Sequence, residues 1–263
     1  MSSALTEWNW EPSILIGLAL LAGGYLGMVY LWRPRFRPLE APAQVVWFMA
    51  GLGVIFVALL SPLDGLGDDY LFSAHMVQHF LIAFVAPPLL LLGTPGWLVR
   101  PLATLPVVGQ GLRLLTSPLI AFASFNLVFM VWHFPLFYEA TLHNEGIHII
   151  EHLLFMATGV LNWWPILSPL PEMPRLSYPA QLVYLFLEGI PATVLSALIV
   201  FAPAVLYPTY AAAERVIDLS PRDDQLFAGL IMWIPCDLMY LLAIGLVFHA
   251  WFQREQTAQA ALA

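Results

Sequence analysis

Residues 71–92, LFSAHMVQHFLIAFVAPPLLLL, decide the class of this chain. The stretch contains no Asp, Glu, Lys or Arg, and its length is that of an apolar helix crossing a hydrocarbon core roughly 30 Å thick. Six further stretches read the same way, at about 13–32, 43–60, 117–132, 147–166, 181–202 and 226–251. Together they predict an all-α integral membrane protein, a bundle of about seven transmembrane helices. Composition agrees: 60% of the 263 residues are hydrophobic and 10% are charged, against roughly a quarter charged in a soluble domain. Between the stretches lie breaker clusters, Ser61-Pro62-Leu63-Asp64-Gly65 and Gly93-Thr94-Pro95-Gly96 among them, where a helical membrane chain turns. No loop is long enough for a soluble domain, so residues 1–263 read as one transmembrane domain. The first stretch has no preceding basic region and reads as a retained helix rather than a secretory signal. Residues 253–263 read as a short tail.

Arginines set the expected orientation. The chain has no lysine, and loops on one face hold Arg33, Arg35, Arg37, Arg100, Arg113, Arg175 and Arg254 against Arg215 and Arg222 on the other. Basic residues accumulate in cytoplasmic loops, which puts the amino terminus outside and the carboxyl terminus in the cytoplasm. Trp8, Trp10, Trp163, Trp164 and Trp251 fall near expected span ends, as an interfacial aromatic belt would. No basic stripe suits nucleic acid. A single cysteine, Cys236, excludes an internal disulfide and a Cys-based zinc framework.

Five of the seven histidines gather at the outer ends of three spans. His75/His79 and His148/His152 are i, i+4 pairs, so each pair projects from one helix face; His133 closes the span between them. A lone histidine at a span end is ordinarily an interfacial side chain satisfied by water. Five at one depth point instead to a metal or cofactor, because polar groups within spans are costly and mark function. His143 reads as a surface or access residue, and His249, at the opposite face, as structural. Imidazole suits zinc, copper, iron or nickel. Thioethers at Met76, Met130, Met156 and Met232 tilt the choice toward copper, although each alone reads as apolar filler. Glu151 and Asp224 are candidate ligands or acceptors for the distal imidazole N–H groups.

Two other readings of the same residues remain open at this stage. His148-Ile149-Ile150-Glu151-His152 matches H-x-x-E-H, a zinc-hydrolase pattern with Glu151 as base. One histidine from each pair would alternatively suit a b-type haem, though no second histidine layer lies at the other face. Glu188 and Asp237 fall near the midplane, where an ionised carboxylate is expensive; protonation or hydrogen bonding is expected, for structure or for proton relay.

Several motifs in order resemble the CtaG-type bacterial cytochrome c oxidase assembly proteins. They are His75-Met76-Val77-Gln78-His79 with Ala86-Pro87-Pro88 and Gly93-Thr94-Pro95, Trp132-His133-Phe134-Pro135, Glu151-His152 leading to Trp163-Trp164-Pro165, and Asp224-Gln225-Leu226 running to Met232-Trp233-Ile234-Pro235. The match covers about residues 64–251, and Cys236-Asp237 departs from it. The resemblance implies an assembly role in the bacterial plasma membrane, not an enzyme, with copper supplied from the outer side to a haem–copper oxidase. Implied partners are oxidase subunits and periplasmic copper carriers, with a homo-oligomer left open.

Overall fold

A computed structural model describes residues 5–31 and 42–260 of the chain. The described residues are helical throughout their regular structure, with no strand among them. The helices are α1 (Pro12–Tyr30), α2 (Pro42–Leu60), α3 (Pro62–Asp69), α4 (Phe72–Phe80), α5 (Ala86–Leu92), α6 (Gly96–Thr104), α7 (Pro106–Leu115), α8 (Pro118–Trp132), α9 (Pro135–His143), α10 (Glu145–Leu167), α11 (Tyr178–Val200), α12 (Pro208–Ala212) and α13 (Pro221–Ala260). Proline opens most of them, where its missing N–H costs nothing and its fixed φ suits the first turn.

The bundle is apolar outside as well as inside. Leu20, Leu119 and Leu241 are 70%, 76% and 63% exposed, which is the surface a hydrocarbon solvent requires. Five helical stretches are long and apolar enough to cross a membrane: α1, α2, α4 through α5, α11 and α13. A sixth is reached if α7 and α8, bent by 71° at their junction, form one span. The seven expected from sequence exceed this count for two reasons. The 15 residues of α8 are too few alone, and α10, though 23 residues long, is diluted by His148, Glu151, His152 and Asn162.

Two other expectations are revised. Helix α13 has 40 residues, about 60 Å at 1.5 Å per residue, so residues 253–260 continue a helix rather than form a tail. Trp163 and Trp164 are each only 5% exposed and pack inside the bundle instead of joining an interfacial belt. Arg33, Arg35, Arg37 and Trp32 lie outside the described residues.

Close approach of backbones holds the bundle together, as it does wherever lipid removes the hydrophobic drive between helices. A Cβ on Gly229 of α13 would lie 2.6 Å from Val200 of α11, and one on Gly51 of α2 would lie 2.8 Å from Leu90 of α5. Loops sort onto two faces. Arg100 of α6 forms an ion pair with Glu172, beyond α10, at 2.8 Å, while at the other face Asn9 Nδ2 donates to Asp64 of α3 at 2.7 Å. The five clustered histidines lie at the Asp64 face.

Helices α4 and α5 meet through one wide turn, residues 81–85, in which the Ala86 N–H reaches back five residues to the Leu81 carbonyl. Pro87 and Pro88 follow and supply no N–H, so the regular ladder cannot close across this point. Turns of this kind recur beside functional sites. Here the wide turn begins two residues after His79.

Candidate metal centre

Helix α4 places His75 and His79, and its start is fixed from another helix. Asp224, fully buried in the first turn of α13, accepts the backbone N–H groups of Phe72 at 2.8 Å and Ser73 at 3.0 Å. One carboxylate thus caps α4 while lying at the positive end of α13. Helix α10 supplies His148, Glu151 and His152; its start is capped by Asn144, whose Oδ1 accepts Ile147 N–H at 3.1 Å. Helix α10 crosses the wide turn closely enough that a Cβ on Gly159 would lie 2.6 Å from the Ala83 carbonyl oxygen. Glycine at 159 is what lets the two histidine pairs meet.

The result is a compact donor set. His75, His79, His148, Glu151 and His152 each bring one ligand atom to within 4.8 Å of the others. His75 Nε2 and His79 Nε2 are 2.8 Å apart, and Glu151 Oε1 lies 3.8 Å from His79 Nε2. Around one metal at about 2.0 Å per nitrogen, two ligand atoms can be no more than about 4 Å apart. The close pair already fits two ligands set at about a right angle on one metal, and any pair beyond about 4 Å would draw in by roughly 1 Å or less on that scale.

Hydrogen bonds to the far side of the rings fix which nitrogens face inward. Tyr210 donates its hydroxyl to the Gly67 carbonyl at 2.7 Å, so at 3.1 Å its oxygen accepts from His75 Nδ1 and leaves Nε2 with a lone pair. His79 Nε2 then donates to His75 Nε2. Its own Nδ1 is buried without a partner, so the proton on His79 has to change nitrogen before both Nε2 atoms can bind one cation. His148 Nε2, His152 Nε2 and both Glu151 oxygens are likewise buried and unpartnered.

His133 stands beside this set rather than in it. Its Nδ1 donates to the Phe129 carbonyl at 2.6 Å, which leaves a buried, unpartnered Nε2, and its ring centroid is 5.6 Å from that of His79. Of the methionines, Met156 lines the same cleft as His148 and His152. Met76 and Met232 pack into the apolar core, and Met130 is 39% exposed on the outside of the bundle. Asp224 spends both oxygens on the α4 cap and does not reach the imidazoles by any hydrogen bond among the described residues. His143 contacts Glu139 and Thr209 at the surface, and exposed His249 pairs with Gln253.

Sequence reasoning missed Asp68 and the tyrosines. Asp68 Oδ1 is 3.6 Å from His75 Nδ1, and its Oδ2 is 3.6 Å from His148 Nδ1. Burial pushes its carboxyl up to about 8, and the like charges of Asp64 and Asp69 add to the shift. Gly67 makes this approach feasible, since a Cβ there would meet His75 backbone at 3.0 Å. The available signal was the i, i+4 pair Asp64/Asp68 just after the Ser61-Pro62 helix start. Tyr138 and Tyr210, from distant segments, left none.

Deeper in the bundle, Glu188 is 1% exposed and accepts from Asn126 Nδ2 at 2.9 Å. Asp237 accepts from Thr193 Oγ1 at 3.1 Å on each oxygen. Neither belongs to the histidine set.

A helical bundle with an apolar outer surface and a buried histidine–carboxylate cluster at one end defines a multi-pass membrane protein. Within that class the chain belongs to the cytochrome c oxidase caa3 assembly factor family (Caa3_CtaG), whose model matches residues 23–254. Similar curated proteins include Uncharacterized protein Mb0105 of Mycobacterium bovis, 25% identical over 97% of this chain and 41% of its own length. Uncharacterized protein ML1998 of Mycobacterium leprae is 24% identical over 95% of this chain and 40% of its own length. The chain thus spans about two-fifths of the relatives it matches. No solved structure matches it.

Proposed function

We propose that the protein binds copper as cargo at His75, His79, His148, Glu151 and His152, near the outer membrane face, and supplies it to a caa3-type cytochrome c oxidase during assembly. The observation that carries this reading is the set of buried donor atoms converging from α4 and α10, of which His148 Nε2, His152 Nε2 and both Glu151 oxygens have no partner. Each such orphan costs about 1–3 kcal/mol. Several of them together approach the whole stability of a typical domain, about 5–15 kcal/mol. A cation held between them offsets that cost and gives the cluster a reason to exist.

Imidazoles with one carboxylate suit copper, and Met156 adds a soft sulfur along the cleft. His133, with its lone pair directed into the bundle, is the next ligand available as the ion moves. Tyr210 holds the ring of His75 from behind at 3.1 Å. The family membership supplies the oxidase as recipient. The arginine asymmetry supplies the orientation: seven crossings with α10 among them, the amino terminus outside, in the bacterial plasma membrane. Periplasmic copper carriers are the corresponding donors.

A zinc-dependent hydrolase is the second reading, because His148, Glu151 and His152 of the H-x-x-E-H string all enter the same donor set. A haem is disfavoured by geometry. His75 and His79 meet nitrogen to nitrogen at 2.8 Å, with Tyr138 and Phe155 against their rings, and no planar gap separates facing histidines.

Elemental analysis of the detergent-purified chain separates these outcomes. Copper is expected in the wild type, lost in His79→Ala and in His152→Ala together with cellular oxidase activity, and retained in His249→Ala. Zinc in place of copper supports the hydrolase, and neither metal overturns both.

A further inference from the structure

The surroundings of the histidines also define a route to them. A cleft of about 390 Å³ runs between α1, α2 and α10, with Asp64, Asp68, His148 and His152 at its polar end and Glu11 and Glu145 beside them. A second cavity, about 480 Å³, lies against Glu7, Asp69 and Tyr70 and shares Asn9, Asp64 and Asp68 with the first. The two carboxylates lie in the wall common to both spaces, yet they are not equivalent. Asp64 is committed, because Asn9 Nδ2 donates to its Oδ2 and Gln78 Nε2 to its Oδ1, each at 2.7 Å. Asp68 is uncommitted: its Oδ1 has no hydrogen bond, and 3.6 Å to each imidazole is too long for one. Its side chain is 34% exposed, whereas that of His75 is wholly buried. An independent feature points into the same cleft. His152, 7% exposed, lines it and leaves Nε2 unpartnered.

We propose that Asp68 is the transfer carboxylate of the site: the cation passes between the acid-lined cleft and the inner ligands by way of Asp68 and His148. The proposal rests on the metal-holding reading above and adds the path and its gatekeeper. Glu11 and Glu145 raise the local concentration of cations at the cleft, an effect that salt screens. Asp68 releases its proton to the water of the cleft as one of its oxygens takes the ion from its previous ligand, with His148 beside it. His152, His75 and His79 then replace the carboxylate one bond at a time, so the ion always keeps ligands and no electron moves. A carboxylate oxygen is a poorer match for copper than imidazole, which suits a ligand that must let go. Release to an acceptor runs the same exchange backward.

The test follows loading and release in the full-length chain, using cuprous ion buffered by bicinchoninate for loading and excess bicinchoninate for release. In Asp68→Asn both rates are expected to fall at least tenfold, while their ratio, which sets the affinity, moves less than threefold. Asp68→Glu is expected to restore both. If Asp68 only orients the rings, affinity instead drops through faster release at an unchanged loading rate, and the proposal is overturned; unchanged rates overturn it as well. Should Asp68→Asn not accumulate, the Glu11→Gln/Glu145→Gln double variant decides. It is expected to load at half the wild-type rate or less, with a flatter dependence on salt, and wild-type loading overturns the route. A wild type that takes up no cuprous ion fails in a distinguishable way, by removing the metal reading itself.

Discussion

At the scale of single residues, Asp224 carries a structural weight that its sequence position does not announce. It sits 152 and 151 positions from the two N–H groups it caps, so nothing local to either helix reveals the bond. Replacing a side-chain cap by alanine costs about 1 kcal/mol, up to roughly 2 in demanding sites. Asp224→Ala is therefore expected to lower thermal stability in detergent by about that amount and to loosen His75, the third residue beyond Phe72. Asp224→Asn retains one acceptor and should lose less. A variant as stable as wild type would show that water caps α4 equally well. The histidines themselves were legible because i, i+4 spacing is a property of the chain alone. Spacing also gives depth, but it does not say which side of a helix faces its neighbour. Met130 and Met156 were equally plausible on depth; one is exposed on the outside of the bundle and the other lines the cleft.

The wide turn between α4 and α5 and the crossing of α10 over it form a single device at the scale of elements. Pro87 and Pro88 withhold two N–H groups, the turn opens, and Gly159 lets α10 pass against the exposed Ala83 carbonyl. The hydropathy of residues 71–92 identified one continuous span correctly, yet gave no sign of this break, because a five-residue return changes hydrogen bonding without changing polarity. A methyl group at Gly159 would fall 2.6 Å from the carbonyl oxygen and 2.8 Å from Pro87 Cγ, and overpacking of this kind costs about 1–3 kcal/mol. Gly159→Ala should lower the unfolding temperature and, by separating α10 from α4, reduce copper content more than Gly245→Ala, whose Cβ would meet open space. Equal copper content in the two variants would show that the crossing does not govern the donor set.

Sidedness is the property of the whole molecule that depends most on sequence. The structure brings Asn9 to Asp64 at one end of the bundle and Arg100 to Glu172 at the other, and the arginine bias gives an expectation of which end is cytoplasmic. Single cysteines at Gly65→Cys and Glu172→Cys test this directly, since native Cys236 is 1% exposed and should stay silent. A membrane-impermeant reagent is expected to label the first in intact cells and the second only after permeabilisation; the reverse would place the histidines at the cytoplasmic face. The number of spans was only partly legible, because the residues that build the donor set are those that dilute the apolar run of α10.

Helix α1 is tied to the bundle by polar contacts near its two ends, with Ile14, Leu18 and Ala22 packed against the core between them. At one end Asn9 bonds to Asp64 and to the Leu60 carbonyl. At the other, the Tyr25 hydroxyl donates to the Gly93 carbonyl at 2.7 Å and its ring stacks on Phe48 at 3.9 Å. Gly17, which lines the cleft, has no neighbour within 4 Å of where its Cβ would be, and Leu21 and Leu153 at the cleft margin are 55% and 56% exposed. In a bilayer the remaining wall of that cleft is acyl chain, so the lipids become a component of the passage and their packing one of its rate constants. Copper exchange measured in nanodiscs should quicken from saturated to unsaturated lipids of matched headgroup, and an exchange rate indifferent to the tails would mean that protein alone encloses the path. Under the proposed function, a cell that remodels its lipids with temperature would, through this opening, also reset the pace of copper delivery.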